Sequence, residues 1–251
     1  MVPPPSTRRN ALWSPLLAGA LALGLSAQAP DAADAASVEQ MAQAAGVELE
    51  PTDAYRLTLL KMKGQLGVAR SLLQQRLPGA DYHVGEALES LFQETEAELE
   101  RRSAPFTADI LKELGNAAAG DAVRALAAVE FAVTAINGSY AQTGAANSKS
   151  VLNLGEALLR EAVANYSDAV SNNEVVDLPK YQSGRGLVTE AEALVRYASG
   201  IKGRPGHEEL LAVVVLIRQA WPGIIPPSIV FDPLDVAGRL DEAVAAMEKL
   251  R

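Results

Sequence analysis

Residues 52–75 read TDAYRLTLLKMKGQLGVARSLLQQ, and after the stop Leu77-Pro78-Gly79 residues 80–102 read ADYHVGEALESLFQETEAELERR. In the first stretch Tyr55, Leu59, Met62, Leu66, Ala69 and Leu73 recur at helical spacing behind Thr52, a residue type that caps helix N-termini. In the second, Val84, Ala87, Leu88, Leu91, Thr95 and Leu99 share one face, opposite Glu86, Glu89, Gln93, Glu96 and Glu100. Two apolar stripes joined by a Pro-Gly turn predict an antiparallel helix hairpin, and this pairing sets the fold class.

The same periodicity continues along the chain. Helices are expected from Thr107 to Ala118 and from Asp121 to Ala141, the latter with Val123, Leu126, Ala127, Glu130, Phe131 and Thr134 on its face. Further helices are expected over Ser148–Val170, Lys180–Tyr197, His207–Ala220 and from Asp232-Pro233 onward. Ser171-Asn172-Asn173 marks a helix end. Gly184 and Gly186 near the start of one helix either let a neighbour approach closely or break the turn. The run Leu210–Ile217, apolar on every side, predicts a helix surrounded by others, and Trp221–Pro227 predicts an extended connection lying along the bundle. Strict two-residue alternation is absent, so the expected fold is all-α: an antiparallel bundle of about seven to eight helices, forming one domain over residues 51–251.

Ahead of it lies a different kind of segment. Arg8 and Arg9 precede the apolar run Leu16–Leu25 and the small-residue pattern Ala27-Gln28-Ala29. Residues 1–29 therefore read as an export signal, with a second cleavage pattern ending at Ala35 and a partly flexible segment over residues 30–50. The apolar run is too short for a permanent membrane span, and a periplasmic or secreted location is expected. No cysteine occurs, which excludes disulfides, thiolate ligands and a cysteine nucleophile. The net charge of −9 becomes two units more negative once Arg8 and Arg9 are removed, and it argues against nucleic acid as a partner.

The only histidines are His83 and His207. On one continuous helix His83 and Glu86 share a face, which makes them the candidate metal ligands. His83 otherwise reads as a boundary histidine pairing with Glu86, and His207 as part of a solvated first turn. Glu130, Glu161, Asn153 and Asn165 fall near apolar stripes, where the carboxylates would pair with a neighbouring cation such as Arg124 or Arg160. Tyr166, Tyr181 and Gln182 flank the asparagine turn, at one end of the bundle. Nucleophile elbows and phosphate-binding glycine loops are missing: Ser183-Gly184-Arg185-Gly186 lacks the lysine and the preceding strand.

Lys63-Gly64-Gln65-Leu66, Ala80-Asp81-Tyr82-His83, Ala104-Pro105-Phe106, Asn172, Lys180-Tyr181-Gln182, Trp221-Pro222 and Pro226-Pro227 together resemble a group of exported, uncharacterised α-helical proteins of proteobacteria, over most of the chain beyond the signal. In that group the first motif commonly reads Gly-His-Leu and the second ends in histidine. The resemblance thus implies an exported helical bundle in which this chain keeps His83 but carries Gln65 in place of the first imidazole. His83-x-x-Glu86 also resembles the signature of imelysin-like proteins, exported bundles associated with iron and haem uptake.

These readings converge on an exported helical bundle without turnover chemistry, binding a small ligand or supporting an envelope protein, with no resident cofactor. The alternative is an iron- or haem-binding protein of imelysin-like type using His83 and Glu86. Counted from the turn, Gln65 and His83 are offset by about 12 Å along an ideal hairpin, which argues against direct contact unless a long turn or a helix break intervenes. A hydrolase would need a cleft gathering Glu130, Glu161 and His83.

Overall fold

The computed structural model describes residues 47–118 and 120–251, apart from the side chains of Glu86 and Ala87; the stretch read as an export signal, its expected cleavage sites and most of the 30–50 segment lie outside them. The expected all-α bundle is what the chain forms. Helix α1 spans Pro51–Gln75, α2 Ala80–Val84, α3 Glu86–Arg101, α4 Ala108–Ala118 and α5 Ala122–Ala141. They are followed by α6 (Ser148–Ala169), a two-stranded ribbon of β1 (Val170–Ser171) and β2 (Glu174–Val175), α7 (Leu178–Tyr197), α8 (His207–Arg218) and α9 (Pro233–Glu248). No described helix is long and apolar enough to cross a membrane.

Several helix ends follow their local chemistry. Asn147, Asp177 and Asp232 accept backbone N–H groups of Ser150, Lys180 and Leu234 at 2.9, 3.0 and 2.8 Å. Pro51 fills the first position of α1, so Glu50 rather than Thr52 is its cap. The asparagine turn does more than end a helix. Val170 pairs with Val175 and Ser171 with Glu174, while Asn172 and Asn173 both take positive φ (52° and 61°), the signature of a tight hairpin that returns α7 antiparallel along α6.

Two hydrophobic cores share α1. Ala54, Leu57 and Leu60 face one core, built with α6, α7, α8 and α9. Tyr55, Leu59, Met62 and Leu66 face the other, built with α2, α3, α4 and α5. The surrounded helices among those described are α1 and α6. Helix α8 instead buries a single stripe, Leu210, Val214 and Ile217, and leaves Leu216 at the surface, because it packs mainly against α7 and α9. Val47 and Leu49 pack into the first core, so the folded domain begins before residue 51.

Two further expectations are corrected and one is decided. The helix expected over residues 80–102 is split at Gly85 (φ −77°, ψ −94°), which raises the described helices to nine. Helix α5 buries Ala125, Val129, Ala132 and Ile136 and exposes Val123 and Phe131, the reverse of the expected face. Both faces are apolar, and the small residues allow the closer approach to α1. Of the two readings of Gly184 and Gly186, close approach is the one that holds: both lie inside an unbroken α7. A Cβ on Gly186 would lie 2.6 Å from the Gly64 carbonyl oxygen, so α1 and α7 cross backbone to backbone.

Candidate functional site

The α1–α7 crossing brings Gln65 and Gln182 to the same level of the bundle, where α2 packs against both helices. His83 lies between them, fully buried. Its Nδ1 is 2.7 Å from Gln65 Oε1 and its Nε2 is 3.1 Å from Gln182 Oε1. The 12 Å offset of an ideal hairpin does not apply, and the exception to it, a helix break, is what the structure shows. The break at Gly85 frees α2 from α3, and the four residues between α1 and α2 span up to about 13 Å, enough to carry the chain back along α1 before α2 begins.

The surroundings fix both glutamines. Gln182 Nε2 donates to the Ile224 carbonyl at 3.3 Å, and Ser183 Oγ donates to Gln65 Oε1 at 3.3 Å. Trp221 is buried in the first core and Ile224 in the second, so the 221–227 connector runs along the bundle, as expected, and crosses from one core to the other. Trp221 Nε1 donates to the Tyr181 carbonyl at 2.9 Å, and Tyr166, Tyr181 and Trp221 form one aromatic cluster. Burial and the neighbouring Tyr166 push the Tyr181 phenol up to about 12.

A neutral imidazole has one N–H to divide between two carbonyl oxygens. Protonating the ring, or turning the Gln65 amide through 180° so that Ser183 Oγ accepts, completes the set. Burial disfavours the charged ring and lowers its pKa, while the Gln182 hydrogen bond and the Asp81 carboxylate pull the other way.

The other sequence candidates scatter. His83 ends its turn in α2 while Glu86 opens α3, so the single helical face that made them joint ligands does not exist; the Glu86 side chain lies outside the described residues. Among the described residues no three of His, Cys, Asp and Glu gather as metal ligands. His207 is buried and not solvated: its Nε2–H donates to the Val195 carbonyl at 2.9 Å, and Nδ1 lies 3.3 Å from Glu208. Glu130 pairs with Arg70 at 3.4 Å and Glu161 with Lys61 at 2.7 Å, in place of Arg124 and Arg160. Those α1 partners are nine residues apart, about 13 Å along the axis, and neither carboxylate joins His83. Asn153 is buried, donating to the Glu48 carbonyl and accepting from Arg251, while Asn165 is half-buried on α6.

One cleft escaped the sequence reading. A groove of about 470 Å³ opens between α1, α5 and α7, floored by Leu59, Leu60, Ile136, Ala193 and Leu194 and flanked by Tyr140 and Tyr197. Lys63 and Glu190 meet at 2.9 Å in its wall. The loop Gly144–Ala146 closes one side. That loop is held by buried Arg56, which donates to the carbonyls of Thr143 and Gly144 at 2.9 and 3.1 Å and pairs with Asp53 at 2.8 Å; Asp53 in turn accepts from Ser150 at 2.6 Å. Compared with known protein families, with curated proteins and with solved structures, the chain matches none.

Proposed function

We propose that this is an exported, non-catalytic binding protein whose helical bundle takes a small, uncharged and largely apolar ligand between α1, α5 and α7. The groove is the observation that carries this reading. Its volume of about 470 Å³ falls within the range of small-molecule sites, roughly 300–1,000 Å³. Its wall charges, Lys63 and Glu190, neutralise each other at 2.9 Å, so a charged guest gains nothing that the pair does not already supply. Tyr140, Tyr197 and Asn137 offer hydrogen bonds to one polar end of a guest. Export is supported by the signal-like stretch over residues 1–29.

The test uses full-length protein expressed in a bacterial host. An N-terminus following Ala29 or Ala35 on periplasmic material is expected, and uncleaved cytoplasmic protein overturns the export half. Purified protein is then titrated with Nile red, a neutral apolar dye. Saturable binding is expected, and Ala193→Trp or Leu60→Trp should abolish it while helicity is retained. Binding that is unsaturable, or equal in both folded variants, overturns the groove half.

A further inference from the structure

Helices α3 and α4 follow one another through residues 102–107 and leave a cleft between them. On its α4 side stand Ala108, Leu111, Lys112 and Gly115, one face at helical spacing, of which the first and last are too small to fill the space before them. A Cβ on Gly115 would meet nothing within 4 Å. Two depressions result, of about 410 and 260 Å³, and they share Phe92, Glu96 and Ala108, so the cleft is continuous from the Gly85 break to Ser103. Its floor is apolar. Phe92, Leu99 and Phe106 are buried there, with the two rings edge to face at 5.8 Å.

The rim carries the opposite chemistry. Glu89, Glu96 and Glu100 follow one edge of α3, the second and third about 10 and 16 Å along the axis from the first, and Asp109 joins them from α4. All four are exposed, and among the described residues none has a cation within 4 Å, whereas Glu98 between them pairs with both Arg101 and Arg102. Lys112 is the only cation among the described lining residues. A hydrophilic polycation would answer the carboxylates but leave the apolar floor in water. A helix with bulky apolar side chains on one stripe and Lys or Arg beside it answers both, and its own spacing of i, i+3, i+4 and i+7 matches the faces that line the cleft.

We infer that the α3–α4 cleft docks a basic amphipathic helix of a partner protein, its apolar stripe over Phe92 and Ala108 and its cations along Glu89, Glu96 and Glu100. The surface shares no lining residue with the groove between α1, α5 and α7 and does not depend on the ligand proposed there.

The experiment titrates the full chain with a fluorescein-labelled leucine–lysine peptide of helical periodicity, about 14 residues and so roughly 21 Å long as a helix. Saturable one-to-one binding with a gain of helical signal is expected, weakening as salt is added. A peptide of the same composition with its leucines at every second position should bind about tenfold less tightly or worse. Ala108→Trp, which fills the shared part of the cleft, and Glu96→Lys, which reverses its central charge, should each weaken binding at least tenfold; both positions are exposed, so the fold is expected to survive. Glu242→Lys, the same charge change at an exposed position on α9, should leave affinity within about twofold of the parent. Equal losses in Glu96→Lys and Glu242→Lys, unchanged affinity in folded Ala108→Trp, or equal binding of the two peptides overturns the site. Spermine binding as tightly as the helical peptide overturns it too, in favour of a small polycation.

Discussion

His83 Nδ1 lies 2.7 Å from Gln65 Oε1, eighteen positions earlier in the chain, and the contact ties the short helix α2 to the middle of α1 inside the bundle. Gln65→Ala removes that partner and leaves a fully buried ring nitrogen unsatisfied. A loss of about 1–3 kcal/mol is expected, read as a lower urea midpoint with an unchanged slope. Gln182→Ala should cost a similar amount. The double variant should cost less than the two losses added, since one ring serves both amides.

Acid should find the same residue. Burial holds the His83 pKa below its ordinary 6.5, so between pH 6.5 and the folded value the unfolded chain binds a proton that the folded chain refuses. The stability tied to His83 is therefore complete above pH 6.5 and declines as pH falls through that window, by at most about 1.4 kcal/mol per pH unit. His83→Gln should flatten the decline between pH 7 and pH 5 in urea titrations. A second loss is expected below pH 4.5. Burial works to raise Glu98 and Glu156, but hydrogen bonds from Arg101 and Arg102 to Glu98, and from Arg251 and Arg160 to Glu156, hold both carboxyls lower.

Glycine substitutions on α1 should diverge sharply. At Gly64 a Cβ would meet the Gly186 backbone at 3.0 Å, whereas at Gly67 it would meet nothing within 4 Å. Gly64→Ala is expected to cost about 1–3 kcal/mol by forcing the two helices apart. Gly67→Ala should gain about 1 kcal/mol from helix propensity alone. Chemical denaturation of the two variants side by side checks both signs.

On α5 the exposed and buried faces predict opposite sensitivities. Phe131 is 63% exposed and Val129 is fully buried. Phe131→Ala should change stability by about 0.5 kcal/mol or less. Val129→Ala should cost more than 1 kcal/mol although it deletes fewer atoms. Equal Tm shifts in the two variants would contradict the orientation of this helix.

The bundle itself was legible because helical periodicity and end chemistry are local. Asp232-Pro233 caps and starts α9 as read, and Leu77-Pro78-Gly79 ends the first helix of the hairpin as read. Which face each helix buries is decided by neighbours distant in sequence. Both sides of α5 are apolar, and the fully apolar run in α8 gave no hint that it would pack mainly against α7 and α9. The candidate site was half-visible. Gln65, His83 and Gln182 all lie in short motifs singled out in the sequence, but their meeting depends on one backbone break at Gly85 and on the Gly64–Gly186 crossing. The groove left no local signal, since its walls come from three helices far apart in the chain.

Because α1 is the common wall of both cores, neither half of the bundle is a unit that can be lost or exchanged by itself. A fragment starting at Ser148 would keep α6 to α9 but present to water the surface that Ala54, Leu57 and Leu60 cover in the intact chain. A fragment ending at Ala141 would strip the opposite side of α1 in the same way. Circular rearrangement or fusion is therefore tolerable only where α1 keeps both of its neighbours, and the whole bundle should melt in a single step.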